Sequence, residues 1–227
     1  MNTLLENLSS DIAHFFESKK KSSDVFCNEC DLQLQLARYL SCSYKIHLEY
    51  FIPYSAVEAQ MKSKLLSEHD YKPQNLYIDI VVEKDGEFLP IELKYKTMPI
   101  NAEVYRFGEK LEKVEILKNH GARDLGAYDF WRDVSRIECL IKRFNNVKNG
   151  IALFVTNDQG YWTLPKMGTN PNYANFSMQD GAHSREKTWQ GNTAMSAARP
   201  SFNVNKEYEL VWEDYDLPFR YCLLQIK

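Results

Sequence analysis

The sequence has no apolar run long enough to cross a membrane. A membrane-spanning helix needs roughly 18 or more consecutive apolar residues, and no stretch of this chain reaches that length. The N-terminal segment contains Glu6 and lacks the hydrophobic run of a secretory signal peptide. These absences predict a cytoplasmic protein that does not have a membrane as its partner.

The chain also lacks an excess of positive charge. Its 28 Lys and Arg residues stand against 31 Asp and Glu residues, so the formal charge is −3 at pH 7. General basicity therefore cannot attract nucleic acid, and any such contact must use a local basic patch. The 227 residues, 44% hydrophobic and 26% charged, are typical of a globular protein with room for a substantial core.

Cysteine is too scarce and too scattered for a disulfide framework, since the chain holds five, an odd number. Cys27 and Cys30 form a Cys-x-x-Cys pair. A structural zinc site would need a second ligand pair, and the sequence has no other Cys-x-x-Cys. We interpret both residues as small apolar positions of a helix rather than as a metal or redox motif.

The most informative stretch is residues 77–95, in which two β-rich runs flank Asp85-Gly86. Asp-Gly between alternating apolar runs predicts a hairpin with a type I′ turn. If these two residues form the loop, the register follows by counting outward. The resulting pairs are Lys84–Glu87, Val82–Leu89, Ile80–Ile91 and Ile78–Leu93, of which the last three form an apolar face.

The opposite face of this hairpin carries charge. The same register places Asp79 opposite Glu92 and Tyr77 opposite Lys94. Like charges roughly 5 Å apart destabilise a sheet, whereas two carboxylates at that separation can share a divalent cation. Glu92 and Lys94 are two residues apart and emerge on the same side of the strand. The hairpin therefore predicts two carboxylates and one ammonium that converge on a metal site.

Asp79, followed across a hairpin by Glu92-Leu93-Lys94, resembles the PD-(D/E)XK nuclease superfamily, which has the restriction-endonuclease-like fold. The proline of that motif is absent, because Ile78 precedes the acid. The resemblance implies a metal-dependent nuclease that hydrolyses phosphodiester bonds in DNA, of the restriction or repair type, with Mg²⁺ or Mn²⁺ as cofactor. It also implies a homodimer where both strands are cut. An amphipathic hairpin with solvated charges is the alternative.

The resemblance assigns roles to individual residues. Asp79, Glu92 and Lys94 would be catalytic, and the two acids would hold the metal with Glu29 and the backbone carbonyl of Leu93. Lys94 would orient a water molecule and stabilise developing negative charge. It could also act as the base if burial lowers its pKa. A non-catalytic nucleic-acid-binding module that keeps the nuclease fold is the alternative function.

Glu29 belongs to a helix that the spacing of Leu32, Leu36 and Leu40 predicts over residues 25–41, with N-caps at residues 22–24. It shares the apolar stripe of that helix and matches the place where the family often has a helical glutamate. An acid of the first helical turn, favoured by the helix dipole, is the alternative.

Basic residues after the hairpin are candidates for binding the substrate phosphates. These are Lys96, Arg123 and Arg136, with Arg185, Lys187 and Arg199 further along the chain. For most charges of the helix that holds Arg123 and Arg136, intrahelical ion pairs are the alternative. For the last three residues, the alternative is a plain surface insertion.

The fold class predicted is α/β, with a restriction-endonuclease-like αβββαβ core whose mixed central sheet is flanked by helices. We expect one domain over residues 1–227, with the core at about 25–156, a loop-rich insertion at 157–205 and C-terminal strands in 206–227. Helices are predicted at 4–19, near 109–119 with Gly121 as C-cap, and at 123–147. Further strands are predicted at 44–52, 151–156, 207–212 and 219–226.

Overall fold

The computed structural model describes residues 3–20, 25–66, 75–163, 171–191 and 194–227. The helices are α1 Leu4–Lys20, α2 Glu29–Leu40, α3 Glu58–Lys62, α4 Arg123–Arg143 and α5 Ala194–Ala198. The strands are β1 Lys45–Ile52, β2 Leu76–Lys84, β3 Glu87–Lys96, β4 Ile100–Arg106, β5 Glu109–Leu117, β6 Gly150–Thr156, β7 Gly181–His183, β8 Glu186–Lys187, β9 Phe202–Asn203, β10 Tyr208–Leu210, β11 Trp212–Asp216 and β12 Phe219–Ile226. Within these ranges, no helix has the length and apolar character needed to cross a membrane.

Six strands form a mixed sheet in the order β1-β2-β3-β6-β12-β11. Strand β3 lies inside it, antiparallel to β2 on one side and parallel to β6 on the other. Helices cover both faces, so the fold is mixed α/β. The predicted strands at 44–52, 151–156 and 219–226 are confirmed as β1, β6 and β12, whereas the one at 207–212 divides into β10 and the start of β11.

Apolar core clusters lie on both sides of the sheet. On one side, Phe16 of α1 and Leu36 of α2 pack with Ile91 and Leu153 of the central strands. On the other side, α4 packs against β6 and against the segment 157–205. That segment was predicted to be loop-rich, and in its described parts it is mostly turns and short strands. It nevertheless contributes Phe176, Trp189 and Phe202 to the buried core.

The predicted hairpin of β2 and β3 is confirmed from the turn to its middle. Asp85 and Gly86 have φ of 52° and 82°, as a type I′ turn requires. The observed pairs include Lys84–Glu87, Val82–Leu89 and Ile80–Ile91. The prediction that Ile78 shares the apolar face of Ile80 is wrong. Ile80 packs on the α1 and α2 side, whereas Ile78 packs with Val81 on the opposite side.

Asp79 therefore stands where the side-chain alternation of β2 reverses. The neighbouring strand is irregular at the same level: β1 pairs Leu48 with Ile80 and Tyr50 with Ile78, and Glu49 between them has φ of 47°. Such local departures from a regular strand re-aim side chains. A strict two-residue alternation, which the sequence-based register assumed, could not reveal this change.

The helix predicted near residues 109–119 is wrong. That stretch is strand β5, which forms a separate two-stranded hairpin with β4. The turn consists of Phe107 and Gly108, whose φ values are 52° and 87°. Glu and Lys suggested a helix because they have high helix propensity, but this propensity is weak and tertiary pairing overrides it. Gly121 is consequently not a C-cap, since it follows a strand and precedes α4.

Three smaller expectations also change. Helix α2 begins at Glu29, because the Asn28 side chain caps it by accepting a hydrogen bond from Asp31 N at 2.9 Å. The caps predicted at residues 22–24 lie outside the described residues. Cys30 lies in α2 as predicted, whereas Cys27 precedes the N-cap of that helix, and both are exposed. Helix α4 is confirmed, with its end at Arg143 rather than at residue 147.

Candidate functional site

The site begins where β2 and β3 stop pairing. Beyond Ile80 and Ile91, two successive N–H groups on the same edge of β3 are bound by carboxylates. Leu93 N donates to Asp79 Oδ2 at 2.6 Å, and Tyr95 N donates to Glu29 Oε2 at 2.7 Å. Backbone N–H groups inside a protein need acceptors, and here two acids supply them in place of a neighbouring strand. This brings Asp79 and Glu29 side by side along β3.

Helix α2 fixes the position of Asp79 through a second residue. Gln33, one turn after Glu29, donates from Nε2 to the Asp79 carbonyl at 2.7 Å and to Glu49 Oε1 at 2.8 Å. Both α2 residues thus bind the sheet at the point where the strands separate. Glu49 is exposed, and its hydrogen bond to Gln33 places it at the margin of the site.

The other side of the site is built by α4. Lys94 Nζ lies 2.6 Å from Asp133 Oδ2, an ion pair without the directionality of a hydrogen bond, and donates to the Leu93 carbonyl at 2.8 Å. Arg136 Nη1 lies 3.3 Å from Glu92 Oε1 and 3.0 Å from Asp133 Oδ1. Because α4 runs alongside β3, Asp133 meets Lys94 and, one turn later, Arg136 meets Glu92.

These groups form one charged cluster: Glu29, Asp79, Glu92, Lys94, Asp133 and Arg136. Its carboxylates outnumber its cations by four to two. The excess charge lies in a partly dry environment, because the side chains of Glu92 and Asp133 are only 2% and 5% exposed. Water screens such charges poorly, so they interact strongly. A doubly charged cation would offset this excess of negative charge.

Burial shifts the pKa values of two carboxyls in this cluster. Burial raises the pKa of Asp79 to about 6, although Lys94 and the Leu93 N–H oppose the shift. Burial also raises the pKa of Glu92 well above its usual range, against the attraction of Arg136 and with the help of the Asp133 and Asp79 charges. Both acids therefore hold a proton more readily than a carboxyl in water does.

The pKa of Lys94 is shifted in the direction opposite to the one that a general base would need. Burial by itself would lower the pKa of Lys94, but Asp133, Glu92, Glu29 and Asp79 together raise it above its usual value. The ammonium is therefore charged at neutral pH. The suggestion that burial lowers the pKa of Lys94 and makes it a base is wrong, and a charge-stabilising role fits the geometry.

The fit of this site to a divalent metal rests on its oxygen donors. Buried Glu92 Oε1 receives no hydrogen bond from the described residues. The Asp79 carboxylate and the Leu93 carbonyl lie on adjoining parts of the same strand edge, and oxygen ligands of this kind suit Mg²⁺ and Mn²⁺. As placed, however, the described residues include no group of three His, Cys, Asp or Glu side chains gathered closely enough to hold a metal. The donors are instead turned toward protein partners.

The predicted substrate-binding residues have three different positions. Arg136 lies inside the charged cluster. Lys96 is half-buried at the end of β3, beyond Lys94. Arg123 lies away from the cluster at the start of α4, where its Nε is 2.6 Å from Asp158 Oδ2. Of the residues in the insertion, Lys187 is fully buried with its Nζ 3.4 Å from the centre of the Trp131 ring, so the expectation that it contacts phosphate is wrong.

Sequence reasoning missed Asp133 and Gln33 as parts of the site. Asp133 pairs within α4 with Arg136, three residues later. A signal was available, since Asp133 lies between Trp131 and Val134, which are both fully buried. An acid among core positions of a helix needs a partner. Asp129 lies one turn earlier on the same helix. Burial raises the pKa of Asp129, and the nearby Asp133 carboxylate raises it further.

Comparison with protein-family models, curated proteins and solved structures finds no match to this chain.

Proposed function

We propose that this protein is a metal-dependent nuclease that hydrolyses phosphodiester bonds in DNA, as an endonuclease of the restriction or repair type. The observation that carries the proposal is that Asp79, Glu92 and Lys94 belong to one charged cluster beside β3. Buried Glu92 Oε1 lacks a hydrogen bond, and the Lys94 ammonium lies beside the Leu93 carbonyl. This combination of oxygen donors and a fixed cation suits phosphoryl chemistry.

The order of elements supports the same proposal. Helix α2, strands β1, β2 and β3, helix α4 and strand β6 occur in the order αβββαβ, with the short helix α3 inserted after β1 and the hairpin β4–β5 inserted after β3. The acids and the lysine lie on the second and third strands of this series. We therefore propose that residues from α2 to β6 form a restriction-endonuclease-like core.

In this mechanism Asp79, Glu92 and the Leu93 carbonyl would hold Mg²⁺ or Mn²⁺, with Glu29 as a further donor. When bound, the metal would acidify a water molecule and offset charge on the scissile phosphate. Lys94, held by Asp133, would place a permanent positive charge next to the reacting phosphoryl oxygens. Lys96, at the exit of the same strand, would meet a neighbouring phosphate. A homodimer would be needed to cut both strands.

The test is a cleavage panel with Mg²⁺ or Mn²⁺ over supercoiled, linear, branched and single-stranded DNA, together with RNA. Asp79→Asn, Glu92→Gln and Lys94→Met each remove a group that acts on the metal or the phosphate. Such groups contribute roughly 100-fold or more to rate. Each variant should therefore lower cleavage by about that factor or more. Electrophoresis of the products measures this directly.

Glu83→Gln is the matched control. Glu83 lies on the same strand as Asp79, but its partners are Lys45 and His47, outside the charged cluster. The Glu83→Gln variant should cleave DNA at the parent rate. Undiminished cleavage by the Asp79, Glu92 and Lys94 variants would reject the site, and an inert parent protein on every substrate would reject the activity.

One observation favours a second candidate function. The Leu93 carbonyl and Glu92, both needed for the metal, already have protein cations beside them, Lys94 and Arg136. A non-catalytic nucleic-acid-binding module that keeps a nuclease fold would retain such contacts permanently. Binding of the same DNA panel without cleavage, and without heat of Mn²⁺ binding, would support this function over the first.

A further inference from the structure

We infer that Arg136 is a built-in counter-cation for Glu92, and that a divalent metal ion must displace it to bind. The inference rests on the proposed function, since it concerns the same site. It goes beyond that function because Arg136 was expected to bind the substrate, whereas here it sets the metal affinity of the protein.

The contacts of Arg136 place its guanidinium beside a predicted metal ligand. Nη1 is 3.3 Å from Glu92 Oε1 and 3.0 Å from Asp133 Oδ1, and Nη2 donates to the Tyr77 carbonyl at 3.2 Å. The Arg136 side chain is 22% exposed, so most of it is removed from water. Two hydrogen-bond acceptors, Asp133 and the Tyr77 carbonyl, hold this cation beside the acid that the metal would need.

The contact with Glu92 is the weakest of the three in geometry. At 3.3 Å it is an ion pair that leaves Glu92 Oε1 without a hydrogen bond, whereas Asp133 and the Tyr77 carbonyl both accept hydrogen bonds from the same guanidinium. Arg136 can thus give up Glu92 while Asp133 and Tyr77 still hold it. Two cations close to one carboxylate repel each other, so Arg136 and a metal ion compete for Glu92.

The alternative is that Arg136 only joins α4 to the sheet. A structural arginine would stabilise the fold, and its removal would disorder the ligands and weaken metal binding. A competing arginine predicts the opposite sign for metal binding. The two roles can therefore be separated by a measurement that does not depend on catalysis.

The experiment is calorimetric titration of the purified protein with Mn²⁺. Arg136→Gln should bind Mn²⁺ at least about tenfold more tightly than the parent, because a unit charge next to the ligand has been removed. Thermal unfolding should show that this variant is destabilised without metal and recovers more than the parent when Mn²⁺ is added. Arg143→Gln, a variant on the same helix whose side chain donates to the Ala56 carbonyl, should bind Mn²⁺ as the parent does.

Arg136→Lys keeps the charge and protects against a variant that fails to fold. Lysine lacks the planar fork that lets Arg136 contact Glu92, Asp133 and the Tyr77 carbonyl at once. It should therefore compete less well and give an affinity between those of the parent and Arg136→Gln. Unchanged or weaker Mn²⁺ binding in both variants would overturn the inference.

Glu92→Gln distinguishes this failure from failure of the proposed function. If the parent binds Mn²⁺ and Glu92→Gln does not, the metal site stands even when Arg136 proves not to compete. If neither the parent nor Arg136→Gln binds Mn²⁺, both the inference and the proposed metal site are wrong.

Discussion

The hairpins β2–β3 and β4–β5 follow one another along the chain and share a turn geometry, yet they differ in nearly everything else. Asp85-Gly86 and Phe107-Gly108 both have positive φ at the two turn residues. Ile80, Val82, Leu89 and Ile91 of the first hairpin are all fully buried, whereas the second exposes most of its side chains. The turn therefore fixes the reversal of the chain, and burial of the strands decides which hairpin can organise a site.

Truncation of one leucine in each hairpin should give the largest difference in the free energy of unfolding. Leu89 on β3 is fully buried and Leu111 on β5 is 40% exposed. Leu89→Ala should lower the free energy of unfolding by about 2–5 kcal/mol, because it leaves a cavity in the core. Leu111→Ala should lower it by less than about 1 kcal/mol. Urea denaturation measures both, and equal losses would show that β4–β5 is as important to stability as β2–β3.

Asp79, an acid that the first hairpin holds in a mostly buried position, should give a second and smaller effect, on the pH dependence of stability. Since burial raises the pKa of Asp79 to about 6, the folded protein binds its proton more tightly than the unfolded chain, whose pKa is near 3.9. Stability should therefore fall as the pH rises from about 4 to about 6. The loss from this one group is at most about 3 kcal/mol at 1.36 kcal/mol per pKa unit.

Asp79→Asn removes this titration while its Oδ1 can still accept the Leu93 N–H. The difference in stability between the variant and the parent should grow in favour of the variant as the pH rises through that range. Denaturation at a series of pH values without added metal measures it. A difference that stays constant with pH would show that Asp79 is not desolvated as the structure indicates.

The smallest effect concerns the turns themselves. Phe107 has φ of 52° and is fully exposed, a conformation that favours Asn, Asp and Gly over an aromatic residue. Phe107→Asn should stabilise the protein by about 0.5–1 kcal/mol. The reverse change in the other hairpin, Asp85→Phe, should cost a similar amount. Loss of stability in Phe107→Asn would mean that the exposed ring makes contacts that stabilise the fold.

The same comparison explains what sequence could predict. The first hairpin was predictable because Asp-Gly is a strong turn signal and the flanking runs alternate. The second was missed because Phe-Gly is not a recognised type I′ pair, and because Glu109, Lys110, Glu112 and Lys113 resemble an exposed helix. The site divides similarly. The two-residue spacing of Glu92 and Lys94 places both on one side of β3, as the sequence predicts. The positions of Asp79, Asp133 and Gln33 depend instead on where strand pairing ends and on how the helices pack against the sheet.

Two faces of helix α4 contact different parts of the protein, so the helix connects the segment 157–205 to the charged cluster. One face carries Asp133 and Arg136. The other is fastened to the segment 157–205, where Trp131 Nε1 donates to the Phe176 carbonyl at 3.0 Å. A rigid helix transmits displacement along its length. A ligand or substitution that shifts Phe176 would therefore also shift the Asp133 carboxylate, which pairs with Lys94. Residues far from the acids in sequence could in this way tune the centre without touching it.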